Sequence, residues 1–217
     1  DCNGVPLNAV RYDSPTFGGF SVSASWGEDD FWDVAARYAG EAGGFKLAVA
    51  AAYSSNVDEN VLGGVVARDS QYFQVGAYVQ HVPTGLFLYG AYGDESSDNV
   101  DGGTATRAAF GAFSVDSDHY YIKAGIRQRL SSLGHTVFYG EYADHNDMGS
   151  IDLIAAGATN VELQRWGLGI VQEVDAAAMS IWLKYRNMDA SADAPAAAGL
   201  NDLQDIDFVG MGALINF

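Results

Sequence analysis

The chain has 217 residues, 11 basic and 28 acidic, for a formal net charge of −17. One domain is expected, with ample material to fold. So acidic a balance argues against nucleic acid as a partner, because phosphate neutralisation needs a basic surface. Glycine (26) and tyrosine (12) are abundant while proline (4) is scarce, which favours extended sheet over helix. The single cysteine, Cys2, provides neither a disulfide framework nor a metal site. No run of about 18 apolar residues exists, so no transmembrane helix is expected. Mean hydropathy is near zero, which leaves a barrel open because lipid-facing and water-facing residues cancel in any window.

In chain order the alternation predicts eleven strands: 8–13, 19–27, 32–39, 44–54, 71–82, 86–93, 118–130, 135–143, 161–174, 178–187 and the terminal stretch 207–217. Short turns, such as Gly40–Gly43, Pro83–Gly85 and Ser131–Gly134, alternate with longer connections at 55–69, 94–117, 144–160 and 188–205. The Glu28–Asp30 link is the exception. That asymmetry is expected of an outer-membrane barrel with tight periplasmic turns and long external loops. The second strands of two hairpins, Leu86–Asp94 and Thr136–Asp144, resemble each other, which points to a repeated hairpin unit.

Parity sorts each strand into two faces. One face carries Phe20, Val22, Ala24, Trp26; Trp32, Val34, Ala36, Tyr38; Phe45, Leu47, Val49; and Met179, Ile181, Leu183, Tyr185. Its aromatics crowd the strand ends (Trp26, Trp32, Tyr38, Phe45, Tyr53, Phe73, Tyr120, Tyr185, Phe217), as the two girdles of a membrane barrel do. The other face carries the basic residues: Arg11, Arg37, Lys46, Lys123, Arg127, Arg129, Arg165, Lys184 and Arg186 all fall inside strands. Acidic residues such as Glu28, Asp94, Glu95, Asp98, Asp101, Asp144 and Asp147 are expected in the connections. A polar lumen with a basic wall and an acidic mouth follows, a narrow aqueous path whose low-dielectric walls focus the field. The competing arrangement is a soluble sandwich in which the apolar face is core and the basic residues are solvated.

Residues 8–41, running from Asn8 through Arg11-Tyr-Asp-Ser-Pro15 to Glu41, resemble the general porins of alphaproteobacterial outer membranes. The terminal Gly210–Phe217 is similar to the last strand of outer-membrane barrels generally. The resemblance covers essentially the whole chain and implies an all-β, antiparallel transmembrane β-barrel. It further implies homotrimers of sixteen-stranded barrels, set among outer-membrane lipid and lipopolysaccharide, with a constriction loop after strand five. Eleven antiparallel strands cannot close with an antiparallel seam, since the first and last run the same way. Residues 1–217 are therefore expected to match the last eleven strands of such a porin, one barrel domain incomplete at its N-terminal side, with Cys2 at the cut.

The functional expectation is passive diffusion of small hydrophilic solutes and ions through a water-filled channel in the bacterial outer membrane. Arg11, Arg37, Lys46, Lys123, Arg127, Arg129, Lys184 and Arg186 are the candidate pore-lining residues, and Glu141 and Glu162 candidate lumen acids. A non-transporting barrel with a structural or adhesive surface role is the alternative. No hydrolytic signature, phosphate-cradling loop or nucleophile elbow is present, so an enzyme is not expected. His81, His119, His135 and His145 lack ligand spacing. No cofactor is expected, apart from calcium as an option for the acidic stretch Asp94–Gly102.

Overall fold

The computed structural model describes residues 8–28, 30–61, 66–100, 113–147, 158–193 and 203–216. The described residues form eleven strands: β1 (Ala9–Asp13), β2 (Phe20–Gly27), β3 (Trp32–Ala42), β4 (Phe45–Val61), β5 (Val66–His81), β6 (Leu86–Val100), β7 (Phe113–Ser131), β8 (Gly134–Asn146), β9 (Thr159–Val174), β10 (Met179–Asp193) and β11 (Ile206–Ile215). They make one sheet in sequence order, each strand antiparallel to the next. β1 pairs only with β2 and β11 only with β10, so both outer edges are free among the described residues. Cys2, Asp101, Gly102, Arg107 and Phe217 lie outside the described residues.

The hairpin ends at the short-turn side are written in glycine. Ala42 pairs with Phe45, leaving Gly43 and Gly44 as a two-residue turn with φ of +59° and +82°. Positive φ at both central positions is the turn geometry whose twist matches the flanking strands. Gly18 and Gly19 repeat it (φ +58° and +89°) between Phe17 and Phe20, whose backbones exchange hydrogen bonds of 2.8 and 2.9 Å.

The strands differ from the sequence expectation in length. β4 has 17 residues, β5 16, β6 15 and β7 19, so the stretches 55–61, 66–69, 94–100 and 113–117 pair as strand, not loop. These extensions are polar (Ser96, Ser97, Asp116, Ser117), so they carry no apolar alternation to read. Backbone pairing does not need it where water bathes both faces. Asp94, Glu95, Asp98 and Asp144 therefore stand within strands, which corrects their assignment to connections.

Burial is inverted relative to a soluble sandwich. The buried apolar residues among those described are Ala143 and Ala158, whereas Ser23, Ser25, Thr136, Glu141 and Asp144 are buried. Phe45 is 48 % exposed, Ile181 47 % and Met211 81 %. No second layer covers them, and the apolar face looks outward.

Candidate functional site: the polar inner face

Register extends the parity argument across the whole sheet. Facing residues of neighbouring strands share a face, and one row runs Ala39, Ala48, Tyr78, Tyr89, Lys123, Glu141, Gly167, Arg186, Phe208. The row above runs Arg37, Ala50, Gly76, Ala91, Tyr121, Ala143, Arg165. Register places seven of the eight predicted basic residues on this face, while Arg129 lies in the irregular stretch between Gln128 and Ser131.

The face is concave, because its side chains join strands that are not neighbours. Arg127 on β7 donates from Nε and Nη2 to the two Glu173 carboxylate oxygens on β9, at 2.8 and 2.5 Å. Arg186 on β10 donates to Glu141 on β8 at 2.5 Å. The Arg165 guanidinium of β9 lies 5.9 Å from the Tyr121 ring centre of β7. Among the described residues, ring contacts on the opposite face join adjacent strands only: Trp32 with Tyr53 (5.3 Å), Tyr120 with Tyr142 (5.9 Å), Trp166 with Tyr185 (5.3 Å) and Phe20 with Tyr38 (4.5 Å). These rings face outward, but only Phe20 and Trp32 open their strands; Tyr53, Tyr120, Tyr142, Trp166 and Tyr185 stand near mid-strand, because the strands run on past them, a correction to their expected place at strand ends.

Glycine makes the cross-strand bonds possible. A Cβ on Gly167 would sit 2.9 Å from Arg186 Cγ and 3.3 Å from Glu141 Oε1, so only a bare backbone lets the two side chains meet over β9. Trp182 lies over Gly212 in the same way, and Phe208 over Gly210, rings filling the space beside an absent side chain. The β3–β6 part of the face is made of small residues (Ala35, Ala48, Ala50, Ala52, Gly76, Ala91). It holds a cavity of about 440 Å³ beside Arg37, Tyr78 and Tyr89.

The eight predicted residues divide by partner. Arg11 forks onto Asp13 (2.9 Å), Lys46 lies 3.8 Å from Glu41, and Arg129 pairs with Asp175. Arg127 holds Glu173. Arg37 donates to Ser23 Oγ at 2.9 Å. Lys123 and Arg186 share Glu141, whose side chain is only 1 % exposed and which also accepts a 2.6 Å bond from the Tyr121 hydroxyl. Lys184 sits over the Trp182 ring, 4.9 Å from its centre. The wall is thus not uniformly basic: Asp13, Glu41, Glu141 and Glu173 interleave with the cations, a correction to the expected segregation of sign.

Glu141 takes its expected place on the inner face, but Glu162 does not. It pairs with Asn146 at an even position of β9, and even positions of β9 face outward. Asp94 and Glu95 are consecutive, so they point to opposite faces of β6 and do not converge on one ion; among the described residues no group of three acidic, His or Cys ligands forms. Sequence spacing also missed two relationships that only register reveals. His119 and His145 are directly paired, their rings stacked 5.5 Å apart on the inner face. Arg165, left out of the candidate set, joins the Tyr121–Glu141 group.

A family model described as Gram-negative porin matches residues 3–202. The chain belongs to that family. Porins of this family are outer-membrane β-barrels without enzymatic activity, and the eleven antiparallel strands agree with it. Among solved structures the chain is similar to the anion-selective porin from Comamonas acidovorans, at 15 % identity and a TM-score of 0.56 over 84 % of this chain and 49 % of that one. It is also similar to the outer-membrane expressed OmpT of Vibrio cholerae, at 13 % identity and a TM-score of 0.54 over 94 % and 63 %. At such identities the likeness speaks for the fold. The chain spans about half the length of the first and under two thirds of the second. No curated protein sequence matches it.

Proposed function

We propose that this chain forms most of the wall of a water-filled outer-membrane channel through which small hydrophilic solutes and ions diffuse passively. The observation that carries the reading is the inverted burial: a concave face bearing Lys123, Glu141, Arg127 and Arg186 behind a convex face that exposes Val34, Ile122, Leu183 and Met211. Such a sheet is stable where hydrocarbon meets the convex side and water the concave side. Arg11, Arg37, Lys46, Lys123, Arg127, Arg129, Lys184 and Arg186 line the channel in this reading, and lipid and lipopolysaccharide surround the outward-facing rings.

The free edges of β1 and β11 bear on how the wall is completed. Open backbone edges are not tolerated in hydrocarbon. β1 and β11 run in the same direction, so pairing them with each other would make a parallel seam. An odd number of further strands restores antiparallel pairing, and five gives a barrel of sixteen. The Arg11–Pro15 stretch, folded as β1 and its turn, supports placement among the alphaproteobacterial general porins and, with it, a homotrimer.

Planar-bilayer recording of the protein purified from outer membranes tests the reading. Stepwise conductance increases are expected. A protein that inserts and gives no steps overturns it and leaves a structural or adhesive role.

A further inference from the structure

The inner face of β7–β10 carries more positive charge than its carboxylates balance. Lys123 and Arg186 contact a single buried carboxylate, Glu141, while Arg165 stands beside the Tyr121 ring that also bonds it and Lys184 lies two positions from Arg186 on β10. Glu141 is fully engaged: Arg186 on one oxygen, Tyr121 and Lys123 on the other. Among the described residues Arg165 and Lys184 have no carboxylate within ion-pair distance. The Arg165 Nε is buried and lacks any hydrogen-bond partner. That nitrogen has no open surface, so a solute meets the rest of this half-buried guanidinium side chain and not Nε. Lys184 is held by rings, 4.9 Å from the centre of Trp182 and 5.8 Å from that of Phe208. Cation–π contact fixes the ammonium and leaves N–H donors for an acceptor.

These residues lie in successive rows of one wall. Arg165, Gly167 and Gly169 occupy alternate positions of β9; Arg186 faces Gly167, and Lys184 faces Gly169. Gly167 leaves room for the Arg186–Glu141 contact, while the Tyr139 ring lies over Gly169 and carries the Lys123 ammonium 4.3 Å from its centre, so the four cations gather around one ring and one carboxylate.

We propose that this patch is an oxyanion subsite, taking small phosphate or carboxylate solutes through Arg165 and Lys184, with Arg186 and Lys123 fixed beside it by Glu141. The proposal rests on the channel reading and makes the wall selective along one side rather than around its whole circumference. It names the chemistry that recognises the solute: a compact group with two or more charged oxygens, which guanidinium and ammonium donors hold better than they hold chloride.

The test uses the protein purified from outer membranes, recorded in potassium chloride with inorganic phosphate added, and with acetate in a parallel series. Phosphate is expected to lower the chloride current saturably at constant ionic strength. The Arg165→Gln/Lys184→Gln variant is expected to weaken that block by at least about tenfold, the order expected for loss of charge-assisted hydrogen bonds. Lys184→Arg keeps the charge and should preserve most of it, which guards against a variant that fails to assemble. Block by phosphate but not acetate assigns the site to phosphate; comparable block by both assigns it to oxyanions generally. Steps that phosphate does not alter, or a block that follows ionic strength alone or survives in the double variant, overturn the subsite while leaving the channel. Absence of steps overturns the channel reading itself.

Discussion

Arg186 Nε lies 2.5 Å from Glu141 Oε1, although β9 runs between their strands; what separates them there is Gly167, with no side chain. This contact ties β8 to β10 on the concave face and draws Tyr121 and Lys123 of β7 into the same group. Three strands are thereby locked to one buried carboxylate.

Removing that carboxylate leaves two cations facing each other. Breaking one side of a fully buried pair costs roughly 3–5 kcal/mol. Lys123 and Arg186 remain 30 % and 24 % exposed, so water takes up part of the loss. Glu141→Gln is therefore expected to destabilise the barrel by about 2 kcal/mol, below the fully buried figure. Guanidinium unfolding in detergent or vesicles, followed by tryptophan fluorescence, measures it; an unchanged midpoint would show that the group contributes nothing.

Gly167→Ala attacks the same contact sterically. Besides Arg186 and Glu141, the new Cβ meets the Tyr185 carbonyl oxygen at 2.7 Å, and backbone cannot yield as a side chain can. A loss of about 1–3 kcal/mol is expected, the usual range for overpacking. Gly43→Ala gives the comparison. Nothing lies within 4 Å of its Cβ, yet φ is +59°, so only the left-handed backbone term of about 1 kcal/mol applies. Equal effects in the same unfolding assay would contradict the assignment of Gly167 to close approach.

How much of this could be read from the sequence depended on which residues alternate. The Phe20–Trp26, Phe45–Tyr53 and Met179–Tyr185 patterns reveal both faces because apolar and polar residues trade places at each step. Ser55–Val61 and Asp94–Val100 do not alternate, so their strand character was invisible until register paired Ser70 with Ser97 and Ser96 with Asp116. The partners of the wall cations were equally hidden. Arg127 and Glu173 are 46 residues apart, and only the curvature of the sheet brings them together. Glu162 stands three positions from Arg165 on β9, so strict alternation puts the two charges on opposite faces.

The two faces predict opposite responses to charge. Leu183→Arg places a guanidinium on the convex surface, where about 2–4 kcal/mol of destabilisation is expected at mid-bilayer depth. Ala50→Arg, on the concave side, is expected to fold normally and to lower single-channel conductance by narrowing the bay beside Arg37. Urea unfolding in vesicles and bilayer recording separate them. Equal tolerance of both substitutions would remove the distinction between faces.

Outside the strands, the Glu28 carboxylate accepts bonds from the Asn8 amide (3.1 Å) and the Asn8 side-chain Nδ2 (2.9 Å). These bonds hold its pKa below the ordinary carboxylate value. A depressed value means the anchor is fully present above the ordinary carboxylate range and is lost as pH falls through the lowered pKa. Amide exchange at Asn8 should quicken on acidification in the native protein, relative to intrinsic exchange, and Glu28→Gln should remove that pH dependence. Exchange protection that is flat with pH in the native chain would rule the anchor out.

The central claim, that successive residues alternate between hydrocarbon and water, is tested most directly by cysteines at Val49, Ala50 and Ala51, one at a time in a Cys2→Ser background. The barrel is reconstituted in vesicles for the measurement. Ala50→Cys is expected to react with a charged, membrane-impermeant maleimide. Val49→Cys and Ala51→Cys, carrying an environment-sensitive fluorophore, are expected to be quenched by brominated acyl chains. Uniform reactivity and quenching at all three positions would contradict the account.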